Sequence, residues 1–173
     1  TSQEFDVKKI SEAFGHLIGD NLETPGFKFD LDSIIKGMRD SIEGVPSPMT
    51  QEEYEEAITT IQEKAFNTLS DENLRNANSF LNQNAQENSV VEVESGKLQY
   101  KVEKNGTGEE VFEHSAPLIH YTGTFIDGTV FGSSLENGEP ITLPLSQTIA
   151  GFSKGIVGMK EGEKRTLFLH PEL

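Results

Sequence analysis

Apolar residues recur at spacings of mostly three and four through the first half of the chain, and at every second position through much of the second. Phe5, Val7, Ile10, Phe14, Leu17 and Ile18 therefore share one face of a helix, which the run from Gly19 to Gly26, with Pro25, interrupts. A second helix is predicted from an N-cap at Asp30, with Leu31, Ile34, Ile35, Met38 and Ile42 on its buried side and Gly44, Pro46 and Pro48 ending it. The third start, Thr50-Gln51-Glu52-Glu53, fits a capping box, in which the Thr hydroxyl accepts from the N3 amide and the N3 carboxylate reaches back to the cap amide. From Tyr54 the stripe runs through Ala57, Ile58, Ile61, Ala65, Leu69, Leu74, Ala77 and Leu81 with no Gly or Pro before Gly96. One helix to about residue 88 would span roughly 57 Å.

Two short helices cannot cover a stripe of that length, and about 50 residues make a marginal core alone. The pattern therefore predicts a two-fold homodimer through residues 1–88, with interlocked short helices and the long helix as a stalk. The alternative is a monomeric three-helix bundle whose tail frays at the polar stretch Ser70-Asp71-Glu72-Asn73. The amide-rich run 82–88 reads as a helix end or a short linker.

Val90–Val93 and Leu98–Val102 alternate as half-buried strands, and Asn105-Gly106-Thr107-Gly108 supplies a turn. Leu118–Tyr121 and Thr129–Phe131 read as two arms joined at Asp127-Gly128, a dipeptide that accepts the positive φ of a tight hairpin. Pro140–Leu145 and Lys164–Leu169 are further strands, and the small-residue run Ile149–Met159 is one helix laid on the sheet. The predicted fold is α+β: an all-helical part with a long stalk helix, then an antiparallel sheet wrapped over one short helix. The divisions are 1–49 for the short helices, 50–88 for the connecting helix and 89–173 for the sheet.

Composition narrows the function. A net charge of −15 argues against nucleic acid or an anionic membrane surface, both of which are bound through Lys and Arg. Residues 1–88 carry 17 acidic against 7 basic side chains and residues 89–173 carry 12 against 7, which reads as solvated helical faces. The absence of cysteine removes disulfides, thiolate metal sites and a Cys nucleophile. No run approaches the roughly 18 apolar residues of a membrane span, and Thr1-Ser2-Gln3-Glu4 is no signal peptide. His16 reads as a satisfied helix histidine, and nothing suggests a Ser/His/Asp or paired-carboxylate arrangement, so neither metal nor cofactor is predicted.

The stretch His120-Tyr121-Thr122-Gly123, then Asp127-Gly128, then Phe131 resembles the signature of FKBP-type peptidyl-prolyl isomerases. Thr148-Ile149-Ala150-Gly151-Phe152 is similar to that family's V-I-x-G-W segment, with Phe152 where Trp is usual, and Glu161-Gly162-Glu163-Lys164-Arg165 to the turn after its helix. Upstream, Phe14–Leu22, Asp30–Met38 and Thr50–Glu53 resemble the dimerisation domain that precedes the isomerase domain in Mip-type bacterial proteins.

The resemblance implies isomerisation of Xaa-Pro bonds in proteins. Tyr121 and Phe131 would be walls of a proline pocket, Phe152 its floor and Ile141 a further apolar lining. The backbone N–H of Ile149 would bind a substrate carbonyl, with Gln147 and Thr148 on the rim. It also implies proline-containing peptides or unfolded proteins as substrates, rapamycin-type macrolides as inhibitors, and a periplasmic or bacterial-surface location that is compatible with a lipid anchor before Thr1. A dimeric chaperone or partner-binding module with little isomerase activity is the alternative. Two departures stand out. Gly132 replaces the Asp that usually follows Phe131, and the family continues past Pro171-Glu172-Leu173 with an A-Y-G segment and a closing strand, so the isomerase domain is predicted to be incomplete.

Overall fold

A computed structural model describes residues 6–24 and 26–173, so the positions predicted for Phe5 and Pro25 lie outside the described residues. The chain divides into two compact units, Thr1–Asp71 and Glu72–Leu173.

In the first unit, α1 (Val7–Gly19) begins at Asp6, whose carboxylate accepts from the backbone N–H of Lys8 and Lys9. α2 (Leu31–Ile42) begins at Asp30, as its sequence predicts, with the Ser33 N–H donating to the Asp30 carboxylate at 3.0 Å. The capping box that opens α3 (Gln51–Asn84) is reciprocal: Glu53 N–H donates to Thr50 Oγ1 at 3.1 Å and Thr50 N–H to Glu53 Oε2 at 2.8 Å. Gly26, at φ +97°, is pressed so close to α3 that a Cβ there would lie 2.5 Å from Ala65 Cβ. Only glycine fits that approach. Neither α1 nor α2 contains a buried residue, and Val7, Ile10, Phe14, Leu17, Leu31 and Ile42 all stand exposed.

α3 passes unbroken through Ser70–Asn73, so the predicted weak point does not interrupt it. It is 34 residues long, roughly 51 Å, and ends at Asn84 rather than near 88. The amide-rich run closes in successive turns, Gln86 N–H to Gln83 O and Glu87 N–H to Asn84 O, before β1 (Val90–Glu94).

In the second unit the end of α3 belongs to the core. Leu81 and Leu98 are buried, and the Gln99 amide donates to Leu81 O at 2.8 Å and accepts from the Asn84 amide at 2.9 Å. Phe80 packs on Phe168 with ring centroids 5.8 Å apart. β1, β2 (Leu98–Lys104) and β7 (Lys164–Leu169) form an antiparallel sheet with β2 central.

The rest of the predicted sheet is divided. β3 (Leu118–Ile119) pairs with β6 (Ile141–Thr142), and β4 (Thr122–Thr124) with β5 (Val130–Ser133). The strand predicted over Leu118–Tyr121 is thus broken at His120, and the one over Pro140–Leu145 is reduced to two residues. α4 (Ala150–Ile156) is shorter than predicted and lies against β7, where Gly155 leaves room for Leu167 and Gly151 for Leu169. Beyond it the chain turns, with Gly158 at φ +84°. Arg165, buried with its ion-pair partner Glu163, donates to Gly155 O and Val157 O at the end of α4 and lies 4.0 Å over the Tyr100 ring.

Candidate active site

The β4–β5 hairpin closes with Phe125 N–H donating to Thr129 O and Gly128 N–H to Phe125 O. Gly128 takes φ +90°, and the Asp127 carboxylate accepts from Thr129 N–H at 2.8 Å, which holds that carboxyl below its ordinary pKa.

Tyr121 stands at the break between β3 and β4, where Ser134 takes the place of a strand partner. Tyr121 N–H donates to Ser134 Oγ at 2.9 Å, and Ser134 N–H donates to Tyr121 O at 3.0 Å. His120 Nδ1 lies 3.1 Å from the same hydroxyl. Ser134 is 3% exposed and positions Tyr121, a role that the sequence reading missed. The available signal was a second Ser directly after the Phe131 arm, facing the His-Tyr pair across the hairpin.

The aromatic residues are placed by glycines. A Cβ at Gly132 would lie 3.5 Å from the Tyr121 hydroxyl, and one at Gly123 would collide with Phe131 Cζ, so the ring of Phe131 lies close over Gly123. Phe131 also packs on Phe125, with centroids 5.0 Å apart. The residues expected to wall the proline pocket stand open to solvent: Tyr121 is 37% exposed, Ile149 61% and Phe131 64%. Phe131 instead lies back on its own hairpin, against Gly123 and Phe125.

The remaining predicted residues follow along one backbone path. Ile141 on β6 pairs with Ile119 on β3. Leu143 N–H to Pro117 O and Leu145 N–H to Ser115 O extend that pairing to buried Leu145. A 3₁₀ turn, Leu145–Gln147, then leads into α4 with Gln147 exposed, Thr148 half-buried and Ile149 as its N-cap. Among the described residues nothing accepts from the Ile149 N–H. Half-buried Phe152 occupies the first turn of α4. The site residues thus form two groups, Tyr121 with Phe131 and Gln147 to Phe152, with Ile141 on the strand pair that connects them.

His170 is a core residue. Its Nε2 lies 3.1 Å from the side-chain oxygen Oδ1 of Asn78 and its Nδ1 accepts from Glu172 N–H at 3.2 Å, which fixes the ring between α3 and the chain beyond β7. Among the described residues no group of His and carboxylate side chains is placed to hold a metal ion, and no helix is long and apolar enough to cross a membrane.

Residues 7–102 match the family described as the domain amino terminal to FKBP-type peptidyl-prolyl isomerase, and residues 108–173 match FKBP-type peptidyl-prolyl cis-trans isomerase itself. The peptidyl-prolyl cis-trans isomerase Mip of Chlamydia trachomatis serovar D is 47% identical over 97% of this chain and 70% of its own length. The outer membrane protein MIP of Legionella longbeachae is 32% identical over 100% of this chain and 77% of its own. The crystal structure of FkpA from Escherichia coli superposes with a TM-score of 0.78 at 26% identity, covering 96% of this chain and 84% of that one. A hairpin that carries Tyr121 and Phe131, a helix entered through Ile149, and matches along nearly the whole length agree: the chain belongs to the FKBP-type peptidyl-prolyl cis-trans isomerases, in their Mip-like group.

Proposed function

We propose that this chain lowers the barrier to Xaa-Pro rotation with Tyr121, Phe131, Phe152 and Ile141 as the apolar surface for the proline ring and the Ile149 N–H as the donor to a substrate carbonyl. That barrier is about 18–20 kcal/mol because amide resonance must be lost, and no covalent bond is broken. A catalyst therefore needs only to bind the twisted amide better than either planar isomer. The twisted amide is the less polar of the two, so apolar walls favour it, and one N–H directed at the carbonyl next to the reacting bond orients the peptide. No proton transfer is required, in keeping with His170 being engaged in the core.

The observation that carries this reading is the Ile149 N–H, free among the described residues at the mouth of α4 and three residues from Phe152. Gln147 and Thr148, immediately before it, are suited to line the rim. A protease-coupled isomerisation assay on the full chain tests the assignment. Tyr121→Ala or Phe131→Ala should lower kcat/KM by about tenfold or more, which corresponds to about 1.4 kcal/mol of lost transition-state contact. Turnover indifferent to both would sink it.

The substrates on this reading are exposed proline-containing segments of unfolded proteins, and rapamycin-type macrolides are expected to compete for the same surface. The exposed faces of α1 and α2 support assembly as a homodimer, because apolar surface of that extent on a monomer is unfavourable in water. The Legionella relative's description as an outer membrane protein supports a place in the bacterial envelope. Phe112, Leu118, Phe125 and Ile126, all exposed, favour a second activity as a holdase for unfolded chains. Suppression of aggregation that survives loss of isomerase turnover would separate the two.

A further inference from the structure

The stretch of chain that carries the isomerase residues is one-signed. Between Lys104 and Lys154 lie 49 residues that include Tyr121, Phe131, Ile141, Gln147, Thr148, Ile149 and Phe152, and they contain six carboxylates and neither Lys nor Arg. Among the described residues none of the six takes part in an ion pair. The cation nearest the site in sequence, Lys154, is engaged by Glu94 at 3.2 Å.

Three of the carboxylates border the aromatic groups. Asp127 is the hairpin tip, and Phe125 and Phe131, which pack on each other, lie on either side of it in the chain. Glu136 follows Ser134, whose backbone and hydroxyl hold Tyr121, by two residues, so their Cα atoms are no more than about 7 Å apart. Glu139 precedes Ile141 by the same two residues. All three are exposed, as are Tyr121, Phe125 and Phe131.

We infer that this surface selects among prolyl bonds by charge, taking segments in which Lys or Arg flanks the proline and disfavouring those flanked by Asp or Glu. The inference rests on the reading of Tyr121, Phe131, Phe152 and Ile149 as the proline site. Its physical basis is the summed field of Asp127, Glu136 and Glu139 over an apolar surface, with no opposing cation in that stretch of chain. Individually each charge acts weakly across solvent. At low ionic strength the screening length, about 30 Å, spans all three, and at about 0.5 M salt it is a few ångströms.

The test is a protease-free isomerisation assay of the full chain on three peptides, succinyl-Ala-Xaa-Pro-Phe with Xaa Lys, Leu or Glu. At about 10 mM salt, kcat/KM for the Lys peptide should exceed that for the Glu peptide by about fivefold, with Leu between, and the ratio should fall below about twofold at about 0.5 M. Equal Lys and Glu rates with intact Leu turnover would overturn the charge selection and leave the proline site standing. No turnover on any of the three would overturn both. Glu136→Gln/Glu139→Gln should bring the low-salt ratio to about twofold; a ratio unchanged from the natural chain would overturn the assignment to these carboxylates. The salt series on the natural chain stands whether or not that variant folds.

Discussion

The hydroxyl of Tyr121 lies 3.5 Å from the point where a side chain at Gly132 would begin. Ordinary van der Waals contact at that distance means that Gly132 is not kept by crowding, and its φ is not in the left-handed region. A carboxylate there would have a hydrogen-bond donor within reach and would fix the tyrosine ring. Gly132→Asp should therefore raise kcat/KM by about threefold to tenfold, the scale of one charge-assisted hydrogen bond that orders a catalytic ring. The gain should vanish in Tyr121→Phe/Gly132→Asp. A Gly132→Asp protein no faster than the natural one in the coupled assay would show that the ring is already ordered.

Ser134 is the second determinant of the same tyrosine. Ser134→Ala removes the acceptor from the Tyr121 N–H and leaves a part-buried donor unmet, at a cost of about 1–3 kcal/mol. Urea unfolding should record that loss. kcat should fall more than KM rises, because the ring loses its position while the apolar surface stays; an effect on stability with kcat untouched would make Ser134 purely structural.

The side chains of Arg165 and Glu163 are 6% and 7% exposed, so their pairing is largely shielded from solvent. Arg165→Leu strands the Glu163 carboxylate and releases Gly155 O and Val157 O, for a predicted cost of about 3–5 kcal/mol. Glu163→Leu added to it should recover much of the loss. A double variant no more stable than Arg165→Leu would mean that the carbonyl bonds, not the buried charge, dominate.

The cap of α2 gives a pH dependence. Hydrogen bonds from the Ser33 hydroxyl and the Ser33 N–H hold the Asp30 carboxyl below its ordinary pKa. A folded-state value below the unfolded one contributes stability that is fully present above the ordinary value and is lost as pH falls through the lowered one. The helical signal of α2 should therefore weaken as pH drops below about 4. Asp30→Asn, which keeps a cap oxygen but cannot titrate, should remove that component; an identical acid limb in both proteins would assign it elsewhere.

Phe14 reports on assembly. It is exposed on α1 in a row of exposed apolar residues, and a carboxylate at its position would oppose any apolar interface. Sedimentation equilibrium should show a dimer for the natural chain at micromolar concentration and a monomer for Phe14→Glu. A natural chain that stays monomeric there would remove the argument for interlocked helices.

What could be read from the sequence was whatever local chemistry decides. Asp30 and the Thr50/Glu53 pair announce helix starts because their side chains bond within three residues, and Asp127-Gly128 announces its turn for the same reason. The break at His120 was hidden, since it depends on Ser134, thirteen residues beyond Tyr121, replacing a strand partner. The end of α3 was set four residues too late because its amides continue a helical pattern while closing short turns. At the site, residue types were legible and enclosure was not. Nothing local reveals that Phe131 lies back over Gly123.

The tie between Gln99 and the last turns of α3 bears on how such proteins can be recombined. A seam placed between helix and sheet, near residue 88, would part buried Leu81 from the sheet's own parent and leave the Gln99 amide without two of its native partners. Residues 72–84 travel with the sheet. The exchangeable cassette therefore begins inside an uninterrupted helix, and a chimera joined there, in helical register, would inherit an intact core from one parent and a new amino-terminal half from the other.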